Sequence, residues 1–315
     1  MTVAASAEDL RATLKERTGR PKERLAFADF HVHTRFSRDS LLTEERLITL
    51  ALERGLSHVC VTNHNNVEGA VAVRDRTREL GVDDRLTVIL GEEVSTADGE
   101  VVGIFLTKTI PRGLSANETA DEIHRQGGLV SIPHPFDPFR ASHIREGPLR
   151  NLAESGKIDA VEVFNSRVTF ARHNLEAAEF ASRYGIPGIA CSDSHSSFEI
   201  AMSFNALPAF ADAAELKAGL PQNDWHGSRS SVFIHLTTRW AVWKNVFDSW
   251  RGKRTAAGPI LGPVTPAEAA REPVQRPPPS ELPARRSPDA GGDDAAVAEA
   301  GAEPDAEAAR RRDDQ

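Results

Sequence analysis

The residues of this chain best suited to chemistry arrive in five short packets. These are Phe30-His31-Val32-His33, Thr62-Asn63-His64-Asn65, Gly91-Glu92-Glu93, Ile132-Pro133-His134-Pro135 and Ser192-Asp193-Ser194-His195. His31 and His33 are one residue apart. On a strand, positions i and i+2 face the same side, so both imidazoles can reach one ion. Asp193 and His195 repeat that spacing with a carboxylate and an imidazole. His64, Glu93 and His134 stand singly in the other packets. The plain reading of one isolated His is a hydrogen-bonded core or surface residue. Polar packets at five strand ends would each carry a desolvation cost, which argues against coincidence.

Each packet follows a run of small apolar or β-branched residues: Leu25-Ala26-Phe27, His58-Val59-Cys60-Val61, Leu86-Thr87-Val88-Ile89-Leu90, Leu129-Val130-Ser131-Ile132 and Gly188-Ile189-Ala190-Cys191. A parallel sheet or barrel gathers the C-terminal ends of its strands on one face, where distant residues converge. Helical segments alternate with these runs. The stretch 43–55 has a Thr N-cap, an apolar face of Leu47, Ile48, Ala51 and Leu52, and Gly55 as a stop. Ser115-Ala116-Asn117-Glu118 reads as a capping box whose helix closes at Gly127-Gly128. The stretch 170–184 is helical in period and ends at Gly185, with Pro187 soon after. This alternation implies parallel strands joined by right-handed crossovers. The run 100–106 follows 86–90 too closely for a crossover, and the turn Ala97-Asp98-Gly99 fits a small antiparallel insertion. About seven core strands favour a barrel or distorted barrel over a short open sheet.

The chain has 315 residues and a formal net charge of −8, which argues against nonspecific nucleic-acid binding but not against phosphate chemistry at a metal. Its two cysteines, Cys60 and Cys191, end apolar runs and read as buried small hydrophobes in a reducing cytosol. Neither a signal peptide nor a membrane span of about 20 apolar residues is legible, so the expected location is the cytoplasm, without stable membrane association. Residues 1–24 read as an arm or short helix, 25–210 as the catalytic domain, and 211–251 as a helical segment packed on it. All four Trp lie in 225–250; the alternative for that segment is an interfacial amphipathic helix or a dimer contact. Oligomeric state stays open. From 252 to 315 the composition turns to Ala, Pro and charge without aromatics, the signature of a disordered tail.

The donors are nitrogen and oxygen without clustered thiols, which suits zinc, manganese or iron(II). Glu93 can give one oxygen to each of two metals. Asp39 can reach the same rim from the first loop, or act as a turn residue. Arg140 can clamp a phosphate or pair with Asp137, and Arg35 carries the same two readings. Glu162 and Asn165 end another strand and can ligate metal or support a ligand. Ser194 points off the face of its neighbours, which disfavours a serine nucleophile. No phosphate-binding glycine loop is present.

In this order the packets resemble the PHP family, named for polymerase and histidinol phosphatase. The matching segments are Asp29-Phe30-His31-Val32-His33-Thr34 with the later Asp39, Val61 to Asn65, Gly91 to Thr96, His134-Pro135, and Cys191 to His195. The resemblance implies a distorted (β/α)7 barrel with two or three divalent metals at the C-terminal strand face. It implies His31, His33, Glu93 and Asp193 on one metal, Glu93 and His134 on a second, and Asp39, His64 and His195 on a third. Two departures stand out: Asn63 replaces a frequent Asp, and Glu162, Asn165 and His173 occupy the stretch where histidinol phosphatases carry a further His ligand.

The expected activity is hydrolysis of a small phosphorylated substrate, a nucleotide-like phosphomonoester or the end of a short oligonucleotide, by a metal-bound hydroxide. Nucleic acid is expected as substrate only. The alternatives are hydrolysis of a non-phosphate ester or amide, and a metal-stabilised binding module without turnover.

Overall fold

The computed structural model describes residues 25–140, 142–230 and 234–251. The expected arm over 1–24 and the expected tail over 252–315 lie outside them. Among the described residues, nine strands form one sheet in the order β7-β6-β5-β4-β3-β2-β1-β8-β9. They are β1 (Leu25–Val32), β2 (His58–Val61), β3 (Thr87–Thr96), β4 (Gly99–Ile104), β5 (Leu129–Ile132), β6 (Ala160–Asn165), β7 (Gly188–Cys191), β8 (Ser203–Pro208) and β9 (Asp224–Gly227). The pairs β1–β2, β2–β3, β5–β6 and β6–β7 are parallel.

The sheet curls into a nearly closed barrel. The backbone N–H of His33 donates to the carbonyl of Ser194 at 2.8 Å, and Val32 bridges Ser194 in parallel. At the same seam, the Asn205 side chain on β8 receives the N–H of Ala190 at 2.9 Å and donates to its carbonyl at 2.7 Å. Those bonds satisfy the edge of β7 that would otherwise be bare. Ala26, Ala28, Phe30, Cys60, Ile89, Val102, Ile189 and Cys191 belong to one apolar cluster with a residue from nearly every strand. Both cysteines are fully buried, and burial pushes their thiols up, consistent with small core hydrophobes.

The helices are α1 (Glu44–Glu53), α2 (Glu68–Glu79), α3 (Ala116–Arg125), α4 (Glu146–Glu154), α5 (Ala171–Tyr184), α6 (Ala213–Gly219) and α7 (Ile234–Trp250). Thr43 caps α1 through the N–H of Arg46. Ser115 and Glu118 form the reciprocal box at α3. Gly185 ends α5 at φ +65°, a conformation that favours glycine.

The run after Gly99 is antiparallel to β3, as expected, and it lies within the sheet, pairing antiparallel with β5 as well. One expectation changes. The segment 211–251 is not wholly helical. Its β9, carrying Trp225, pairs with β8 and extends the sheet. The remainder docks through α7. Thr238 accepts from Arg167, Ala241 is buried, and Asn245 donates to the carbonyl of Arg38 at 2.8 Å, one stripe at helical spacing. The other face carries exposed Trp240, Trp243 and Trp250. Among the described residues no helix is long and apolar enough to cross a membrane.

Candidate metal centre

The packets meet. His31 lies within β1 where its register shifts between Asp29 and Val32, and His33 directly follows the strand. Before the shift, Ala26, Ala28 and Phe30 share the interior cluster, whereas Leu25 and Phe27 join the cluster under α1. After it Val32 joins the α1 cluster, so inward facing passes from even to odd positions. The bulge therefore aims both His31 and His33 inward. Their Nε2 atoms lie 2.9 Å apart. Asp193 Oδ1 lies 3.6 Å from each of those nitrogens, and Glu93 Oε2 lies 3.5 and 3.3 Å from them. Ligands about 2.0–2.2 Å from one ion are separated by roughly 3.0–3.6 Å, the spacing found here.

Other atoms hold these side chains in place. Glu162 Oε1 sits 2.6 Å from His31 Nδ1, fixing a proton there and turning Nε2 inward. His33 Nδ1 donates to Ser37 Oγ at 3.0 Å, and Ser37 donates to Asn63 Oδ1 at 2.9 Å. Asn63 thus orients an imidazole through a serine, without a charge. Asp193 Oδ2 is held by Arg140 and, at 3.2 Å, by Asn165 Nδ2. His134 and Asp193 adopt φ +29° and +53°, rare for side chains other than glycine, and such strain concentrates at functional sites.

Glu93 is the hub. Its Oε2 is 3.1 Å from His64 Nδ1, and its Oε1 is 3.3 Å from His134 Nε2. Asp39 Oδ2 lies 3.3 Å from His64 Nε2 and 3.2 Å from His195 Nε2. Three groups of donors result: His31, His33 and Asp193; His33, Asp39, His64 and His195; and His64, Glu93 and Glu100.

Glu100 was not among the expected ligands. Its oxygens lie 3.7 Å from His64 Nδ1 and 3.9 Å from His134 Nε2, and Ser142 donates to it at 2.6 Å. It opens β4, which runs antiparallel and so begins at the face where β3 ends. A carboxylate before an apolar run was the available signal. Glu162, expected either to ligate metal or to support a ligand, lies behind His31 and also accepts the N–H of His134 at 3.2 Å. Arg167 and Glu199 were also missed. The buried guanidinium sits against His195 Nδ1 and pairs with Glu199 Oε1 at 3.0 Å.

The expected substrate residues divide. Arg140 reaches the cluster through Asp193. Arg35 pairs with Glu44 at 2.9 Å, at the start of α1, rather than with any cluster residue. Asn165 is spent on Glu162 at 2.8 Å and on Asp193. Ser194 hydrogen-bonds Ser192, which bonds Asp29, so its hydroxyl is engaged elsewhere. His143, the closest in sequence to His134 of the remaining histidines, donates to the carbonyl of Arg140 at 2.6 Å.

Glu93 Oε2, Asp193 Oδ1 and Asp39 Oδ1 are buried without a hydrogen-bond partner. Buried carboxylate oxygens in that state are expensive unless paired or coordinated. Protons partly stand in. Burial works to lower His31, but Glu162, Asp193 and Glu93 outweigh it and hold the imidazole well above its ordinary range. His64 follows the same pattern: burial lowers it, Asp39 and Glu93 prevail, and it rises to about 10. Burial, with His195 adding repulsion, pushes His33 down to about 3. Burial and then Glu93 push Glu100 up to about 7. The donor set fits divalent zinc, manganese or iron(II): imidazoles and carboxylates, with no thiolate facing in.

Comparison with known proteins agrees with this geometry. The PHP domain profile matches residues 29–162, and a PHP-associated profile matches residues 171–218. An uncharacterised protein of Methanocaldococcus jannaschii is 34% identical over 149 residues, spanning 44% of this chain and 81% of that protein. A second uncharacterised protein of the same organism is 31% identical over 177 residues, spanning 56% and 68%. A solved two-domain protein from Bacteroides vulgatus, described as containing a predicted PHP-like metal-dependent phosphoesterase, superposes with a TM-score of 0.54 at 19% identity. The match covers 65% of this chain and 65% of that one, so likeness there extends to the fold. The sheet, the order of the packets and these matches agree: the chain belongs to the PHP domain family.

Proposed function

We propose that the chain is a metal-dependent phosphoesterase acting on a small phosphorylated substrate, either a nucleotide-like monoester or the end of a short oligonucleotide. One observation carries this reading: the unpartnered Glu93 Oε2 and Asp193 Oδ1 face the His31 and His33 nitrogens at 3.3–3.6 Å in a buried cage. His31, His33, Glu93 and Asp193 would hold one ion; Glu93, His134 and Glu100 a second; Asp39, His64 and His195 a third. Divalent ions there would supply a water of lowered pKa and positive charge for phosphoryl oxygens.

The chain's own residues do the rest. Hydrolysis forms a P–O bond from water and breaks the ester P–O bond, and the water's proton ends on the departing alcohol. Glu162, Ser37 and Asn63 keep the imidazoles aimed. Arg140, with its side chain 19% exposed beside Asp193, can donate to a phosphoryl oxygen at the rim. Arg167 braces His195 from behind, and α7 braces Arg167 through Thr238.

The test is metal analysis of purified protein, joined to turnover of a generic phosphomonoester and a carboxylic ester with manganese added. Phosphomonoester turnover that a chelator abolishes is expected. Carboxylic-ester turnover alone, or bound metal without turnover of either, would overturn the reading.

A further inference from the structure

We propose that Phe139 and Phe170 form a stacking platform for a flat aromatic ring on the leaving-group side of the substrate, a nucleobase being the ring whose chemistry fits. This rests on the phosphoesterase reading for its location and deepens it by naming the residues that would hold the ring. Phe139 and Phe170 are 64% and 48% exposed, yet their rings meet with centroids 5.5 Å apart at a 55° tilt. They come from separate loops, after β5 and after β6. Both rings leave much of their surface open to a ligand.

Each loop sends a guanidinium inward and a phenyl outward. Arg140, the residue after Phe139, pairs with Asp193; consecutive Cα atoms are only about 3.8 Å apart. Arg167, three residues before Phe170, sits on His195. The platform therefore shares its two loops with the guanidinia that reach the donor cluster.

It is also braced. Asp137 Oδ1 accepts the N–H of Phe139 at 3.2 Å and lies 3.8 Å from His173 Nδ1. The buried His173 ring meets Phe170 edge-on at 6.1 Å, and the Arg172 guanidinium lies 5.3 Å from the Phe170 ring. A base on Phe139 would find an exposed π-face, with the Arg172 cation over the adjoining Phe170 ring, the pairing that holds single nucleotides on protein surfaces.

The test is equilibrium binding of adenosine 5′-monophosphate and ribose 5-phosphate, with manganese present, to the native chain and to a Phe139→Ala, Phe170→Ala double variant. The two ligands differ at the anomeric carbon alone, which carries the base in one and a hydroxyl in the other. The native chain should prefer the nucleotide by about tenfold, within the range that base stacking supplies. The double variant should lose the preference while binding ribose 5-phosphate as before, and Phe139→Trp should keep it. Equal binding of both ligands by the native chain, or an unchanged preference in the double variant, would overturn the platform. Turnover is measured in parallel. Hydrolysis of both ligands without preference sinks the platform and spares the phosphoesterase reading; preference without hydrolysis does the reverse.

Discussion

Glu162→Gln separates a carboxylate that orients a ligand from one that is a ligand. The carboxylate and the His31 ring are each at most 1% exposed, and Oε1 lies 2.6 Å from Nδ1. Its other oxygen accepts from Asn165 Nδ2 at 2.8 Å and from the N–H of His134 at 3.2 Å. A glutamine keeps the shape but has one acceptor. If its amide nitrogen faces Asn165 and His134, donors meet donors. If it faces His31, the imidazole must move its proton to Nε2 and lose the lone pair aimed inward. Either arrangement weakens the cage. Loss of such an orienting partner costs about 10–100-fold in metal affinity, which corresponds to about 1.4–2.8 kcal/mol. Competition with a coloured chelator measures affinity, and metal analysis at saturation measures stoichiometry. The expected result is weaker binding with the number of ions unchanged. Affinity within twofold of native would refute the orienting role, and loss of one full equivalent of ion at saturation would make Glu162 a ligand.

Three further outcomes follow from the same geometry. The double substitution of His31 and His33 by Ala should reduce hydrolysis to background while the circular-dichroism spectrum stays near native; persisting hydrolysis would place the site elsewhere. Metal affinity should rise with pH. His31 and His64, raised well above their ordinary value and to about 10, hold protons below those values that an ion must expel, at up to about tenfold per pH unit for each proton. Calorimetry in two buffers of different ionisation enthalpy should show proton release on binding, and none would contradict the cage electrostatics. Gly91→Ala should cost about 1–3 kcal/mol in urea unfolding, because a Cβ there would lie 2.5 Å from Cys60 Sγ and 2.9 Å from the carbonyl of Gly103; an unchanged midpoint would show that the strands beside β3 can yield.

The expected cage was legible because its residues obey simple periods. His31 and His33, and Asp193 and His195, advertise a shared face by their spacing, and apolar runs mark the strand ends that carry them. Glu100 was not legible in the same way. It sits at the beginning of a strand, and only the antiparallel direction of β4 brings it to the functional face. The bulge in β1 left no mark in composition, yet it decides that odd positions point inward. Arg167 carries no spacing signal and becomes a site residue only because Glu199 and His195, about thirty residues later, close around it. The strand β9 hid in a Trp-bearing segment that reads as helix, because pairing with β8 is a tertiary fact.

The central claim is that divalent ions occupy the cage. Anomalous diffraction from crystals grown with manganese tests it most directly. The expected result is a peak within about 2.0–2.4 Å of His31 Nε2, His33 Nε2, Glu93 Oε2 and Asp193 Oδ1. Anomalous density confined to other parts of the molecule, with those four atoms bridged by water alone, would contradict it.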